Sequence, residues 1–588
     1  MAGIINIILK KDKRNGLNGT FNLNLGYPTN YGASFNINMR RSWLNLFSSY
    51  GFNYRENPGG GASYQEFYLP DSIYFTERTQ NRVRSGYGHN FRVGSDFYLN
   101  KKNTLTAAFL FRISDQENTS NINYTDLNSL RQITRQTLRQ DNEIEDEVNL
   151  EWDVNYTRTF NKKDQKLTAD IQYRRSSEVE NSDLVESVFN SEANSYLPDL
   201  YQRSLNDEND RNLLIQMDYI HPLGKEGKLE FGTRNTLRRI ETEFIVEELN
   251  ENIWSSLPNF TNHFNYDEKI YAVYGIYGNK IERFSYQVGL RSELTDLITE
   301  LRETNERYDK NYLNFFPSAH ITYDLKKQNS LQASYSRRLN RPRFRDLNPF
   351  FTFSDARNIR SGNPDLNPEF TNSYEIGYLK NWEKSSLYQG VYYRQTVDVI
   401  QRVSTVEGDG ITFTRPQNLS ARDAYGVEAN ISKDITNWWR VNLNGNFYRA
   451  TTYGSAFGEA MSSDTYSMNS RLNSRITFLK NINYQLNVNY RAPEETPQGR
   501  TKSMYSIDMA FNKDIMKGKG TITFSVSDLL NSRKWRSETF GSNFYSDSEF
   551  QWRARQFMAT FSYRLNQKKQ NQRERRGEGD GGGEDMDF

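Results

Sequence analysis

Along much of the chain, apolar and polar residues alternate one by one. In residues 482–491 the even positions from Ile482 to Tyr490 are apolar, and the odd positions from Asn483 to Arg491 are polar. Successive side chains of a β-strand point to opposite faces, so this pattern predicts a strand with one apolar and one polar face. Because strands inside a parallel sheet are apolar on both faces, the alternation favours antiparallel pairing.

The same alternation recurs from one end of the chain to the other. Clear examples are residues 20–27, 34–41, 440–447 and 521–528. Counting such segments from Thr20 to Leu565 gives about 22 strands. With only 36% hydrophobic residues, the chain has no apolar run near the ~20 residues that a membrane-spanning helix requires. A helical membrane protein is therefore excluded.

Two kinds of connection alternate along the chain between the predicted strands. One kind is short and rich in lysine, at residues 100–103, 161–166, 224–228, 325–329, 382–386 and 512–520. The other kind is long and polar, and we expect irregular loops at residues 55–85, 115–144, 177–210, 241–268 and 338–373. Short periplasmic turns and long extracellular loops are typical of outer-membrane barrels. The sequence therefore predicts an all-β transmembrane antiparallel β-barrel of about 22 strands.

A soluble propeller or β-solenoid would also contain many short strands. Such folds repeat at a fixed period, about 20 to 50 residues, whereas the loop lengths here vary severalfold. Aromatic residues beside turns also favour a barrel, because an interfacial girdle would place them there. These residues are Tyr27, Trp43, Tyr54, Tyr98, Trp382, Trp438, Trp439 and Tyr490.

Three stretches resemble the TonB-dependent outer-membrane receptors. The first carries the family's Gly-Asn-Pro-x-Leu-x-Pro-Glu run and its Tyr-Glu-x-Gly strand, at Gly362, Asn363, Pro364, Leu366, Pro368, Glu369, Tyr374, Glu375 and Gly377. The second is similar to a Tyr-Gly-x-Glu strand start, at Tyr425, Gly426 and Glu428. The third is similar to the Asp-Leu-Phe-Asn turn, with Asp528 and Asn531 in place and Leu530 where phenylalanine is usual.

The beginning of the chain is similar to the last strand of the plug that fills such barrels. The matching residues are Gly3, Ile5, Asn6, Ile7, Lys10 and Lys11. The resemblance implies that residues 1–14 are the last strand of a truncated plug and residues 15–565 the barrel. Residues 566–588 are charged and glycine-rich, so we expect a disordered tail.

The resemblance implies a receptor and transporter in the bacterial cell outer membrane that takes up a scarce solute by ligand gating and TonB energisation. Its partners would be outer-membrane lipid and lipopolysaccharide, an unknown small solute, and a TonB-type complex reached through the N-terminal part. The fragment would not import the solute on its own. A passive plugless pore or a structural, adhesive barrel remains the alternative.

No catalytic or cofactor-binding constellation is evident in the sequence. The four histidines, His89, His221, His263 and His320, lack HExxH spacing, and no GxSxG or GxxxxGK[ST] motif occurs. The acidic runs 141–147 and 206–211 lack the EF-hand pattern, so we interpret them as solvated loop tips and expect no metal. With 75 basic and 73 acidic residues and no basic stripe, nucleic acid is not an expected partner.

A group of arginines supplies the candidate ligand contacts. They are Arg341, Arg343, Arg345, Arg357 and Arg360. Arginine can bind anionic ligands or lipopolysaccharide phosphates through paired hydrogen bonds. The same residues could instead pair with carboxylates inside the barrel, where polar residues are expected. The sequence leaves both interpretations open.

Overall fold

A computed structural model describes most of the chain. The described residues are 16–69, 72–258, 260–350, 355, 357–407, 410–479 and 481–566. The predicted plug-end strand at residues 1–14 lies outside them, and so does the predicted tail beyond Asn566.

The described residues fold almost entirely into β-strands. The first half comprises β1 (Gly16–Tyr27), β2 (Asn30–Arg40), β3 (Leu44–Leu69), β4 (Ser72–Tyr98), β5 (Asn103–Leu127), β6 (Ile133–Thr159), β7 (Lys166–Asn190), β8 (Ser195–Tyr196), β9 (Leu200–Leu223), β10 (Gly227–Asn250), β11 (Ile253–Ser256), β12 (Asn262–Ile281), β13 (Phe284–Leu301), β14 (Glu306–Asp324) and β15 (Asn329–Asn340). The second half comprises α1 (Phe344–Leu347), β16 (Asn358–Arg360), β17 (Glu369–Asn381), β18 (Ser385–Val406), β19 (Thr412–Asp434), β20 (Trp439–Ala456), β21 (Glu459–Phe478), β22 (Ile482–Arg491), β23 (Glu494–Thr496), β24 (Gly499–Thr501), β25 (Met504–Ile515), β26 (Gly520–Ser527), β27 (Trp535–Phe540), β28 (Phe544–Gln551) and β29 (Gln556–Leu565). A 3₁₀ turn covers Met516–Gly518.

The sheet closes into a barrel through its first and last strands. Phe21 of β1 pairs with Phe35 of β2 on one side and with Tyr563 of β29 on the other, both antiparallel. The wall contains 22 strands, which confirms the predicted fold class and strand number. The short strands β8, β11, β16, β23, β24, β27 and β28 are additions to this wall. Among the described residues, no helix is both long and apolar enough to cross a membrane.

An apolar band surrounds the outside of the barrel near its short turns. On β6, the outward side chains of Trp152 and Val154 are exposed. In the direction away from the short turns, the band ends at Asp146, the first outward charged residue beyond it. Arg175 on β7 and Arg211 on β9 end the band in the same way. We call the end with the short turns the turn end, and the opposite end the hairpin end.

The predicted irregular loops are largely wrong, because most of these residues continue the wall strands. Strands β3 to β7, β9 and β10 contain 24–27 residues, although about 9–11 suffice to cross a bilayer. Residues 115–127 and 133–144, for example, form a paired hairpin. Beyond the apolar band both faces of a strand are polar, so hydrophobic alternation disappears while backbone pairing continues.

The hairpin end has a rim built from the connections themselves. Strands β1 and β2 are short, so the distal half of β3 has no wall neighbour on that side. Strand β28 takes that place, with Tyr545 opposite Glu66, and β27 and β24 extend the sheet. These added strands satisfy backbone groups that would otherwise form an unpaired edge.

Candidate functional site

The connection between β15 and β17 comprises residues 341–368, and its described residues, 341–350, 355 and 357–368, extend from the rim into the mouth of the barrel. We call it the crossing loop. Its near end, formed by the residues close to both attachment points, contacts β12 to β14, beside β15. Its far end, formed by Asp355 and Arg357 in the middle of the segment, contacts β4 to β6 on a distant part of the wall. The described part of this loop therefore spans the mouth at the hairpin end.

The near end of the crossing loop is fixed by an apolar cluster and by ion pairs, of Arg341 with Glu293 and Glu268 and of Asp365 with Lys310 on β14. Arg341 Nη2 donates to Glu293 Oε2 at 2.6 Å and to Thr295 Oγ1 at 2.9 Å, both on β13. Leu347 and Leu366 are fully buried against the inner wall, with exposures of 0% and 1%. The wall residues of this cluster are Ile240, Phe264, Tyr266, Leu297 and Leu301.

The Gly-Asn-Pro-x-Leu-x-Pro run lies in the crossing loop, and its residues form the fold of the loop. The Gly362 amide donates to Asn348 O at 2.8 Å, and a Cβ at this position would lie 2.4 Å from the same oxygen. Only glycine tolerates such a close approach. Asn363 Nδ2 donates to Pro416 O at 3.1 Å on β19. These residues therefore hold the loop against itself and against the distal part of β19.

The far end of the crossing loop is anchored by two charged residues. Asp355 accepts a hydrogen bond from the Tyr124 hydroxyl and forms an ion pair with Arg78 Nε at 3.0 Å. Arg357 Nη1 lies 3.0 Å from Asp126 Oδ1, and its guanidinium lies 4.3 Å from the centre of the Tyr124 ring. Charge-assisted bonds of this kind are stronger than neutral ones.

The surroundings of Asp355 favour its ionised form. Burial alone would raise the pKa of this carboxyl group. The charge of Arg78, the Tyr124 hydroxyl and two nearby hydrogen-bond donors, the Arg357 amide and the Asn358 side chain, outweigh burial and hold the pKa below its ordinary value. Asp355 therefore carries a negative charge at neutral pH and attracts the arginine of the wall.

A second element, the distal half of the β18–β19 hairpin, bends over the mouth beside the crossing loop. Asp398 adopts a left-handed conformation (φ 56°), and the strand register skips it between Val397–Ala421 and Val399–Leu419. Beyond this bend, a buried cluster holds the hairpin to the tips of β20 and β21; its members are Val399, Val403, Leu419, Ala456 and Met461.

The tip of this hairpin reaches the far wall. Val406 is buried against Phe67 of β3 and Phe544 of β28. Strand β16 of the crossing loop runs parallel to β19, with Ile359 opposite Phe413, and so joins the two elements. We call the crossing loop and residues 398–420 together the lid.

The five candidate arginines lie along the crossing loop, but the structure does not gather them into one site. Arg341 and Arg357 form ion pairs with wall carboxylates at opposite ends of the loop. Arg343 and Arg345 lie exposed at the start and in the middle of α1, and Arg360 is exposed in β16.

The remaining motif residues have local packing partners. The Tyr388 ring covers Gly377, and its hydroxyl donates to Glu375. The Tyr392 ring covers Gly426 in the same way. A side chain at either glycine would clash with the ring, so these glycines accommodate aromatic packing inside the barrel.

Asp528 and Asn531 shape the turn that follows β26. Asp528 adopts φ 53° and accepts hydrogen bonds from the amides of Ser532 (3.0 Å) and Arg533 (2.9 Å). Asn531 Oδ1 accepts from the Arg555 amide at 2.8 Å. Such side-chain bonds to nearby backbone groups are typical of Asx turns.

The prediction that the two acidic runs are solvated loop tips is wrong. Residues 141–147 belong to β6 and residues 206–211 to β9. Their alternate acidic side chains therefore point into the barrel, where they meet those of Glu178 and Glu180 on β7. Among the described residues, one group brings three carboxylates within reach of a single cation. It consists of Glu145, Glu178 and Glu180, with oxygen atoms within 4.8 Å of one another.

Sequence reasoning missed the wall residues that receive the crossing loop. Tyr124, Asp126 and Arg78 lie more than 200 positions before Asp355 and Arg357 in the chain. No local pattern marks them, because their role depends on which part of the wall the loop reaches. The alternation of acidic residues in 141–147 was visible, and it would have indicated a strand.

Comparisons with known proteins agree with this architecture. Residues 158–563 match the family described as the outer membrane protein beta-barrel family. No curated protein matches the sequence. Among solved structures, the copper transporter OprC is similar with a TM-score of 0.60 and 11% identity, over 94% of this chain and 80% of that one.

Two further solved structures are similar over 94% of this chain. They are the siderophore receptor PirA from Pseudomonas aeruginosa (TM-score 0.54, 10% identity, 81% of that chain) and the ferric yersiniabactin uptake receptor FyuA from Yersinia pestis (TM-score 0.54, 13% identity, 80% of that chain). At such low identities, the likeness concerns the fold.

Proposed function

The chain belongs to the outer membrane protein β-barrel family, and from this premise we propose that it is the barrel of a receptor that imports a scarce solute by ligand gating and TonB energisation. Its place is the bacterial outer membrane. The apolar band then faces lipid, the turn end faces the periplasm and the hairpin end faces the outside.

The observation that carries this proposal is the lid across the extracellular mouth. A 22-stranded wall encloses a lumen too wide for inward side chains to fill. A passive pore needs that lumen open, whereas here the crossing loop is fixed to both sides of the mouth. The lid therefore lies in the path of a solute that enters from outside, and we infer that entry involves a change in the lid.

The type of anchor also supports gating. The near end of the crossing loop is held by a buried apolar cluster as well as by ion pairs, whereas the far end is held by ion pairs, hydrogen bonds and the contact of Arg357 with the Tyr124 ring. Polar anchors can be exchanged for bonds to water or to a solute, whereas separating a buried apolar cluster exposes its surface to water. The far end is therefore the end that releases first.

The named transport substrates of the similar structures, copper and siderophores, suggest the general class of activity but not the solute. The alternative is a passive pore or an adhesive barrel that uses its long hairpins as a binding surface. These possibilities differ in whether a solute crosses the membrane and whether its passage requires energy.

Uptake by cells distinguishes them. The complete receptor is purified from its own outer membrane, and co-purifying small molecules are identified by mass spectrometry. Uptake of that radiolabelled molecule is then measured in cells with and without the receptor gene, with and without a protonophore. We expect uptake that needs the receptor and stops when the protonophore is added. Uptake that is insensitive to the protonophore would indicate a passive pore, and no uptake would indicate an adhesive role.

A further inference from the structure

Beneath the far end of the lid, the inner wall carries basic residues on one side. Arg82 and Arg84 on β4 and Arg55 on β3 lie on the inward face. They are nearer the turn end than Arg78, which anchors the lid. Among the described residues, none of these three arginines has a carboxylate oxygen within 4.0 Å. We call them the basic face.

Carboxylates line the neighbouring part of the same wall. The inward residues of this acidic face are Glu143, Glu145 and Glu147 on β6 and Glu178 and Glu180 on β7. Glu145 lies directly opposite Glu180, and Glu147 opposite Glu178. In the described part of the chain, no lysine, arginine or histidine nitrogen lies within 4.0 Å of these five carboxylates.

A neutral strand separates the two faces. The inward residues of β5 at this level are Ser114, Gln116, Asn118 and Ser120. Asn118 accepts a hydrogen bond from Arg84 Nε at 2.8 Å and donates one to Glu143. Because neighbouring strands lie about 4.8 Å apart, the backbones of β4 and β6 are about 10 Å apart.

Farther along this wall, opposite charges meet directly around one carboxylate. Asp210 on β9 lies 2.9 Å from both Arg174 on β7 and Arg238 on β10. The separation of charges between β4 and β7 therefore differs from the direct pairing around Asp210. Asn118, placed between Arg84 and Glu143, keeps the opposite charges apart.

Burial and mutual repulsion raise the pKa of carboxyl groups on and beside the acidic face. Burial and the neighbouring Glu180 raise the pKa of Glu178 to about 8. Burial and Glu143 raise the pKa of Asp141, the next inward residue of β6, to about 7. A bound cationic group would relieve this repulsion and take the place of the protons.

We propose that the inner wall beneath the lid binds a zwitterionic solute, with its ammonium group on the acidic face and its carboxylate on the basic face. This inference rests on the proposed uptake function and names the class of solute. An extended chain spans about 3.3–3.6 Å per residue, so the length of a tripeptide matches the spacing between the strands β4 and β6 that carry the two faces. A short peptide with free termini therefore has the charges and the length that the two faces require.

Trialanine and its two capped forms provide the probe. Binding of trialanine, N-acetyl-trialanine and trialanine amide to the purified full chain in detergent is measured by calorimetry. We expect trialanine to bind, and each cap to weaken binding at least tenfold, because each removes one charge. Equal binding of all three, no binding of trialanine, or equally strong binding of the cation spermidine would overturn the proposal.

Paired variants assign each charge to its face. The double variant Arg82→Gln, Arg84→Gln should weaken the binding of trialanine at least tenfold and leave the binding of trialanine amide unchanged. The double variant Glu145→Gln, Glu180→Gln should weaken the binding of trialanine by a similar factor and leave the binding of N-acetyl-trialanine unchanged. The matched control is Arg92→Gln, an inward residue of β4 nearer the turn end that lies 3.8 Å from Asp153; it should bind like wild type. Equal losses in the control would contradict the assignment.

This experiment separates the inference from the proposed function. Binding in detergent requires neither a membrane nor energy, so a negative uptake experiment leaves the binding result intact. Conversely, energised uptake of a solute without opposite charges, together with no binding of trialanine, would overturn the inference and leave the receptor function standing.

Discussion

Leu366 shows how a single residue stabilises the crossing loop. It is 1% exposed and packs with Leu347 against the inner wall. Leu366→Ala should leave a cavity and destabilise the closed loop by about 2–5 kcal/mol. We expect faster hydrogen exchange at residues 362–368. Leu530→Ala, at a residue that is 53% exposed, is the control and should not change this exchange; unchanged exchange in Leu366→Ala would argue against the packing described.

Asp355 gives the far anchor a defined pH dependence. Its pKa in the folded protein lies below the ordinary value of 3.8, so the ionised form stabilises the closed lid. That contribution is complete above the ordinary pKa and is lost as the pH falls through the lowered one. We expect hydrogen exchange near residue 357, corrected for its intrinsic rate, to show a closed lid from about pH 8 to about pH 5 and release only in stronger acid.

Asp355→Asn is the matched variant for this pH experiment. It removes the charge that Arg78 attracts, so the lid should exchange faster at neutral pH and depend less on acid. Release of the wild-type lid between about pH 7 and pH 5 would mean that another group controls the anchor.

At the scale of residues, the sequence located several important positions without giving their roles. Gly362, Asn363 and Leu366 were recognisable from their resemblance to a family run. Their contacts with Asn348, Pro416 and the inner wall depend on the path of the whole loop. Arg341 and Arg357 were likewise identifiable, but their partners lie 48 and 231 positions away.

Strand β22 offers the sharpest test of which face meets lipid. Val488 points outward and the adjacent Asn487 points inward. Val488→Arg should lower the free energy of unfolding of the barrel by about 2–4 kcal/mol if the residue lies near the bilayer midplane. Asn487→Arg should cost much less, because it faces the lumen opposite Asp508. The measurement is urea-dependent refolding into liposomes; equal costs, or a larger cost at Asn487, would contradict the orientation of this strand.

The orientation of the hairpins can be tested on intact cells. Ser129, in the turn between β5 and β6, and Lys327, in the turn between β14 and β15, are both exposed and lie at opposite ends of the barrel. A cysteine at 129 should react with a membrane-impermeant maleimide, and a cysteine at 327 should react only after the cells are lysed. The reverse pattern would invert the topology.

At the scale of elements, alternation predicted strands only where one face meets lipid. Strand β22 and the alternating part of β26 were recognised at nearly their observed bounds. The distal halves of β3 to β10 were taken for irregular loops, because polar residues on both faces leave no periodic signal. Backbone hydrogen bonding maintains these hairpins, and it is not visible in hydrophobicity.

For the whole molecule, the strand number was predictable because many weak segment signals add up over a long chain. The closure of β1 on β29 follows from that number and the even alternation of turns. The lid was not predictable, since a connection of 28 residues (341–368) can lie outside the barrel or across it. Its position depends on contacts between strands far apart in the chain.

The central claim is that the lid controls passage through the lumen. Arg357 Nη2 donates to Thr137 Oγ1 at 2.8 Å, so cysteines at positions 357 and 137 can be joined by a short, reducible bismaleimide. Single-cysteine variants serve as controls for the label.

The decisive measurement is the conductance of this double variant in planar bilayers before and after the link is reduced. We predict a small conductance while the lid is tethered and a severalfold larger one after reduction, with no such change in the single-cysteine controls. The same conductance in the tethered and reduced states would contradict the claim that the lid gates the barrel.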